Sequence, residues 1–407
     1  MQFIHRHRRK IAAAVGVATA GYYAYTYLKT KLEDWQASLT SGVTNKENLR
    51  RRFEQNQNDA SFTVAALLSS LTDPLMETMP VEEITRELQA KQRIASASAS
   101  ETGSVASSSV TAEEAAGGGK ARSKKEMWEE IKIMSVTRAV SMMYATALLI
   151  FFTRLQLNLL GRKNYLDSVL SLSEEVAENE AEEEEEYKRQ QKEVVDNEVN
   201  RRFLTYSWWL LNNGWQDLVA VVQRATIKAF EDVSPRSELT YSDFSSLLTQ
   251  VRASVSSQTS PYLTLLLPRT RSEEHNVLDQ NPDPDFYSTP ALERLITPRL
   301  DSLLDEAKDL IESPNAAGVV AGLLDQAFGV LLSSLQVAYF YDEQQQQQQE
   351  KKVRLANLLA GVTRQSHEMT IANSQANQYL LAMNATTELK MFSAVVYSNY
   401  GTLGSLV

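Results

Sequence analysis

The stretch from Lys124 to Gly161, KKEMWEEIKIMSVTRAVSMMYATALLIFFTRLQLNLLG, constrains the fold of this chain more than any other. It contains no proline, and its first glycine is Gly161, where the pattern predicts that a helix stops. Strong helix formers (Glu, Lys, Met, Ala, Leu and Arg) dominate it. At its start Met127, Ile131 and Met134 recur at i, i+4 and i+7, while Glu126, Glu129, Glu130 and Lys132 occupy other faces. From Ala139 to Phe152 the helix is apolar nearly all round, which requires burial in a core or a membrane. A spanning helix needs about 20 apolar residues. Arg138 and Arg154 bracket a shorter run, so the stretch reads as the central helix of a helical domain. It should be surrounded at its middle and more exposed at its N-terminal end, where Trp128 sits.

The rest of the chain supports an all-α fold. Its 407 residues include only 15 glycines and 10 prolines, and 43% are hydrophobic, enough for a sizeable core. A net charge of −10 argues against nucleic acid as the main partner. The absence of cysteine excludes disulfides, thiol catalysis and cysteine metal sites, and favours a reducing compartment.

Residues 1–10, MQFIHRHRRK, form a basic segment carrying Arg6, Arg8, Arg9 and Lys10. Residues 11–28 follow without a charge. A transmembrane anchor fits them best, because the length suffices and Tyr22, Tyr23, Tyr25 and Tyr27 suit an interfacial belt. A cleaved signal with Ala18-Thr19-Ala20 as its processing site is the alternative; a mitochondrial presequence would be amphipathic, which this run is not. The charge rule by itself would leave Arg6 to Lys10 in the cytosol.

Residues 29–407 then form the helical domain. Pro74 and Pro80 punctuate its first helices, and Val81 to Ile94 is amphipathic. Residues 95–123 are rich in Ser, Ala, Gly and Thr and are expected to form a disordered loop. Its Gly117-Gly118-Gly119-Lys120 is not a phosphate loop, because Glu114 holds the first glycine's place and Ala121 follows the lysine. Residues 173–199 read as an acidic insert, either a solvated helix or disordered, with glutamates at 182–186; an interaction tract is the alternative. Asn200 to Phe230 is a second helical block, which Asn212-Asn213-Gly214 should break in two. Its Trp208, Trp209 and Trp215 read as core anchors. Residues 261–290 look loop-rich; Leu292 to Ile311 and Ala316 to Phe340 look helical; residues 343–350 are a Gln-rich spacer. Lys351 to Asn373 and Ala385 to Tyr400 supply the last helices.

No catalytic constellation is visible. The four histidines (His5, His7, His275 and His367) lack ligand partners at helical spacing, and no nucleophile-elbow, dinucleotide, zinc-protease or EF-hand pattern occurs. We therefore expect no enzyme activity, no cofactor and no metal. Trp128 stands out instead, one turn after Lys124 and on the same face. It is either a core tryptophan or the floor of a charge-rimmed apolar pocket for a partner's amphipathic helix.

Several blocks together resemble the peroxisomal biogenesis factor 3, or peroxin-3, family in a fungal-type version. They are the basic-then-apolar N-terminus, residues 127–166 with WEEIKI and FTRLQLNLLGR, TYSWWLLNNGW (205–215), LLAGVTRQSH (358–367) and ELKMFSAVVYSN (388–399). The resemblance implies an integral peroxisomal membrane protein with one N-terminal anchor, its N-terminus in the matrix and its helical domain in the cytosol. It implies docking of peroxin-19, the soluble receptor for newly made peroxisomal membrane proteins, whose amphipathic helix enters a hydrophobic groove. The family's pocket tryptophan falls on Trp128 and its lysine on Lys124; Met127 and Ile131 join by helical adjacency only. An apolar pocket residue three turns before the tryptophan would fall in the Gly-rich run. Transit through the endoplasmic reticulum, and tethering of autophagy or inheritance factors, are compatible with the family, with no residues assigned to either. The competing readings are an anchored helical scaffold of another organelle with a different partner helix, and a membrane-bound enzyme.

Overall fold

The computed structural model describes residues 43–101, 122–174, 182–280, 289–341 and 351–399. The basic segment, the 11–28 anchor and the Gln-rich spacer lie outside these residues. In chain order the main helices are α1 (Val43–Thr78), α2 (Val81–Glu101), α3 (Lys124–Glu174), α4 (Glu182–Thr205), α5 (Trp215–Ala229) and α6 (Tyr241–Thr259). They continue with α7 (Arg271–Asp279), α8 (Pro290–Glu312), α9 (Pro314–Leu335), α10 (Leu355–Met369), α11 (Gln378–Asn384) and α12 (Thr387–Ser398). Strand among the described residues is limited to an antiparallel pair, Glu238–Leu239 with Val353–Arg354, in which Glu238 faces Arg354.

The expected central helix is α3, and every residue from 135 to 156 in it is buried. Helices α1, α2, α5, α9, α10 and α12 pack directly on it. A second shell forms where α6 packs on α5 and α8 packs on α4. Two described helices are long and apolar enough to cross a membrane, Lys124–Ser168 and Pro314–Phe340. The first is wrapped by protein instead, with 89% of its most apolar window buried. Large side chains fill the surrounding space: Tyr144, Phe151, Phe152, Phe203, Phe230, Phe244 and Phe392 are all fully enclosed.

The central helix does not end at Gly161; it runs on to Glu174. A Cβ at Gly161 would lie 2.8 Å from a ring carbon of Tyr397 and 3.2 Å from the Asn56 amide. This glycine lets α12 and α1 approach the helix and is not a terminator. Gly214 behaves similarly. Asn212-Asn213-Gly214 does not end one helix and begin another with a left-handed cap. Leu210–Gly214 instead forms a π-helical turn, and Gly214 itself is right-handed helical at φ −60° and ψ −35°. A Cβ there would lie 2.0 Å from the carbonyl oxygen of Leu265. Trp215 is buried beside it, and half-buried Trp208 and Trp209 pack on the same core.

Other expectations change. Pro74 lies inside α1, so only Pro80 separates helices there. Residues 95–101 of the expected loop complete α2, and residues 102–121 lie outside the described set. The later part of the acidic insert is helix α4, in keeping with the helical reading, but it is not solvated all round: Val195, Glu198 and Val199 are buried. Residues 261–290 also hold α7, started by a capping box in which Thr270 and Glu273 exchange hydrogen bonds.

Gly214→Ala separates these effects. Intrinsic helix propensity favours alanine by about 1 kcal/mol. The close approach of the Leu265 backbone should reverse that and destabilise the fold by roughly 3 kcal/mol, an overpacking cost. Chemical denaturation of the variant checks this; an unchanged or higher stability would contradict the packing described here.

Candidate helix-docking site

The N-terminal end of the central helix is built from local chemistry. Ser123 caps it: the Ser123 hydroxyl accepts from the Glu126 N–H at 3.2 Å, and the Ser123 N–H donates to the Glu126 carboxylate at 2.8 Å. The backbone hydrogen bond from Ser123 holds the exposed Glu126 carboxyl below its ordinary pKa. Lys124 is the first helical residue and is exposed. Trp128, one turn on, is half-buried, with part of its indole packed on the core.

Met127 and Ile131 are not surface neighbours of this tryptophan. They are 0% and 4% exposed and belong to the core. Helical adjacency put them on one stripe with Trp128, but that stripe turns inward. Lys91 of α2 lies against Met127, 3.6 Å from its sulfur, and also donates to the Arg122 carbonyl at 2.9 Å. The accessible members of the expected set are therefore Lys124 and Trp128, with Ile133 and Met134 half-buried further along. Arg6, Arg8, Arg9, Lys10 and the Gly-rich run lie outside the described residues.

The charges around Trp128 divide into committed and uncommitted groups. Glu129 pairs with Lys132 at 2.6 Å, and Glu130 with Arg122 at 3.1 Å. Lys132 is itself buried, and donates to the carbonyls of Phe230 and Val233 at 3.0 and 2.8 Å, closing the end of α5 against the central helix. Glu126 is used in the capping box. Among the described residues neither Lys124 nor Lys125 forms an ion pair. Glu129 and Glu130 are thus paired with cations of the chain, Glu126 keeps its charge against a backbone N–H, and Lys124 and Lys125 leave the rim net positive.

Helix α2 is held in place by Arg138, which the sequence presented only as a boundary of the apolar run. Arg138 is 0% exposed; its guanidinium donates to both Glu82 carboxylate oxygens, at 2.8 and 2.6 Å, and to the Met79 carbonyl at 3.0 Å. His367 Nε2 lies 2.8 Å from the same carboxylate. Partial burial alone would raise the Glu82 carboxyl. The hydrogen bond from Arg138, a backbone hydrogen bond, the Arg138 charge and the His367 contact outweigh it and hold Glu82 at about 2. No spacing rule flags Glu82, since its partner lies in another helix.

A polar cleft of about 160 Å³ lies at the other end of the central helix, lined by Arg52, Asn56, Asp59, Gly161, Tyr165 and Tyr397 among others. It is about 50 Å from Trp128 along the helix axis, at 1.5 Å per residue. Among the described residues no group of three or more His, Asp or Glu side chains could hold a metal ion.

These features define an all-helical bundle organised round one buried helix, with a half-exposed tryptophan under a cationic rim at one end of it. Residues 2–399 match the family model described as Peroxin-3, and the chain belongs to that family. It is 37% identical over 434 residues to the peroxisomal biogenesis factor 3 of Yarrowia lipolytica, covering 98% of this chain and 99% of the relative. It is 28% identical over 444 residues to the Saccharomyces cerevisiae protein of the same name, covering 99% and 97%. It is 27% identical over 459 residues to the peroxisomal membrane protein PEX3 of Komagataella phaffii, covering 98% of each. Family membership places the chain at the peroxisomal membrane, with a role in peroxisome biogenesis.

The Glu82 linkage gives a pH test. Its folded pKa is depressed, so its stabilising contribution is full above the unfolded value of about 4.3 and is lost as pH falls toward the folded value of about 2. Melting curves of the wild type and Glu82→Gln should differ most at neutral pH, with the gap closing between about pH 5 and 2. A gap that widens on acidification would contradict the Arg138–Glu82 arrangement.

Proposed function

We propose that this chain is the peroxisomal docking factor for peroxin-19, and that it supports insertion of peroxisomal membrane proteins by binding rather than by catalysis. In this reading residues 11–28 anchor it as a single-pass protein and the helical bundle stands in the cytosol. The observation that carries the reading is Trp128: a large amphipathic side chain left half-exposed at the N-terminal end of a helix whose middle is fully enclosed. Buried aromatic anchors of this kind supply a disproportionate share of binding energy when a partner covers them. An amphipathic helix of the receptor would lay its apolar face on the indole. Met127 and Ile131 would keep the tryptophan in place from below, inside the core. Lys124, free of internal ion pairs among the described residues, would orient the partner through an acidic group on the helix rim.

The reading requires that Trp128→Ala weaken binding of a peroxin-19 N-terminal peptide to the full chain by about 30-fold or more, the cost of losing a hot spot of roughly 2 kcal/mol. Circular dichroism should show unchanged helix content, because the indole is only partly enclosed. Equal binding by the variant would overturn the site. Loss of the fold would mark Trp128 as a core residue. Failure of the folded wild type to bind at all would favour an anchored scaffold for a different partner helix.

A further inference from the structure

We propose that Ser123 is a phosphorylation site that switches off docking at Trp128, an inference that rests on the docking reading above. Ser123 is exposed, and it precedes the first helical residue of the central helix. It sits within Lys120-Ala121-Arg122-Ser123-Lys124-Lys125, where four of six residues are cationic. Basic residues three and one positions before a serine match the acidic substrate clefts of basophilic protein kinases, which choose substrates by charge pattern. Lys124, Lys125 and Glu126 are all exposed, so unwinding the helix start as far as Glu126 to admit a kinase uncovers no core side chain, while Met127 stays buried.

The chemistry is a phosphoryl transfer from ATP. The Ser123 Oγ forms a new bond to the γ-phosphorus as the bond from that phosphorus to the β–γ bridging oxygen breaks. The hydroxyl proton passes to the kinase's base, and ADP leaves. The product carries about −1.5 to −2 charges at neutral pH. Its oxygens can take over the N–H groups that the hydroxyl now serves, so the helix start survives. The docking rim does not. The two uncommitted lysines beside Trp128 are the immediate neighbours of the new phosphate, and Glu126, now held against the Ser123 N–H, adds a like charge next to it. A rim that was net positive becomes net negative. A partner helix selected for an acidic group opposite Lys124 then meets repulsion.

The test treats the full chain, in mild detergent, with ATP and the catalytic subunit of cyclic-AMP-dependent protein kinase. Phosphate is mapped by mass spectrometry, and affinity for the peroxin-19 peptide is read by fluorescence anisotropy. We expect phosphate on Ser123 and at least about tenfold weaker binding at low salt, with the difference shrinking as salt screens it. Ser123→Ala should bind equally before and after kinase treatment. A folded chain that takes no phosphate at Ser123 would overturn the proposal. Full phosphorylation without loss of affinity, where Trp128→Ala still weakens binding, would also overturn it while leaving the docking reading intact. Absence of binding by the untreated wild type would remove the docking reading and this inference together.

Discussion

Everything in this molecule depends on enclosing one helix on all sides. The central helix is apolar round its whole circumference between Ala139 and Phe152, and no single partner helix could cover it. Helices drawn from both halves of the chain pack on it, so the fold is a shell condensed on a rod. The rod also fixes the geometry of the site. At its N-terminal end the side chains pass from buried Ser135 through half-buried Trp128 to exposed Lys124 within a few turns.

The buried rod nevertheless carries cations, and each ties a different helix to it. Lys132 holds the end of α5 through two carbonyls. Arg138 holds α2 through Glu82. Arg162 pairs with Glu306 of α8 and donates to the Asn399 carbonyl just beyond α12. Arg154 differs: its partners are the neutral groups of Gln57, Ser61 and Asn384, and burial pulls its pKa down to about 10. Such groups add little net stability over an apolar core, but each becomes costly when its partner is removed. They therefore fix which helix lies where, including the position of α2 beside the N-terminal end of the central helix.

Much of this was legible in the residues. The all-round apolar run predicted the central helix and its burial, and the low glycine and proline content predicted the helical class. The local rules failed where a residue's meaning is set by a distant neighbour. Gly161 and Gly214 read as a stop and a break. Their role is to admit Tyr397 and the Leu265 backbone, which lie far away in sequence. Arg138 and Arg154 read as the ends of a buried segment, since their partners at Glu82 and Gln57 cannot be inferred from spacing. The Thr270–Glu273 capping box was readable but was obscured by the surrounding prolines and acids. Helical spacing grouped Met127 and Ile131 with Trp128. It could not tell that the core takes the first two entirely and the third only in part.

The docking account is tested most directly by amide hydrogen exchange on the full chain, with and without peroxin-19. The amides of the first turns of the central helix, residues 124–131, start at an exposed helix end, so a helix laid across Trp128 should slow them strongly. The account predicts that protection centres there and on the adjoining part of α2. Protection confined to the opposite end of the rod, around Arg52, Tyr165 and Tyr397, with residues 124–131 unchanged, would contradict it.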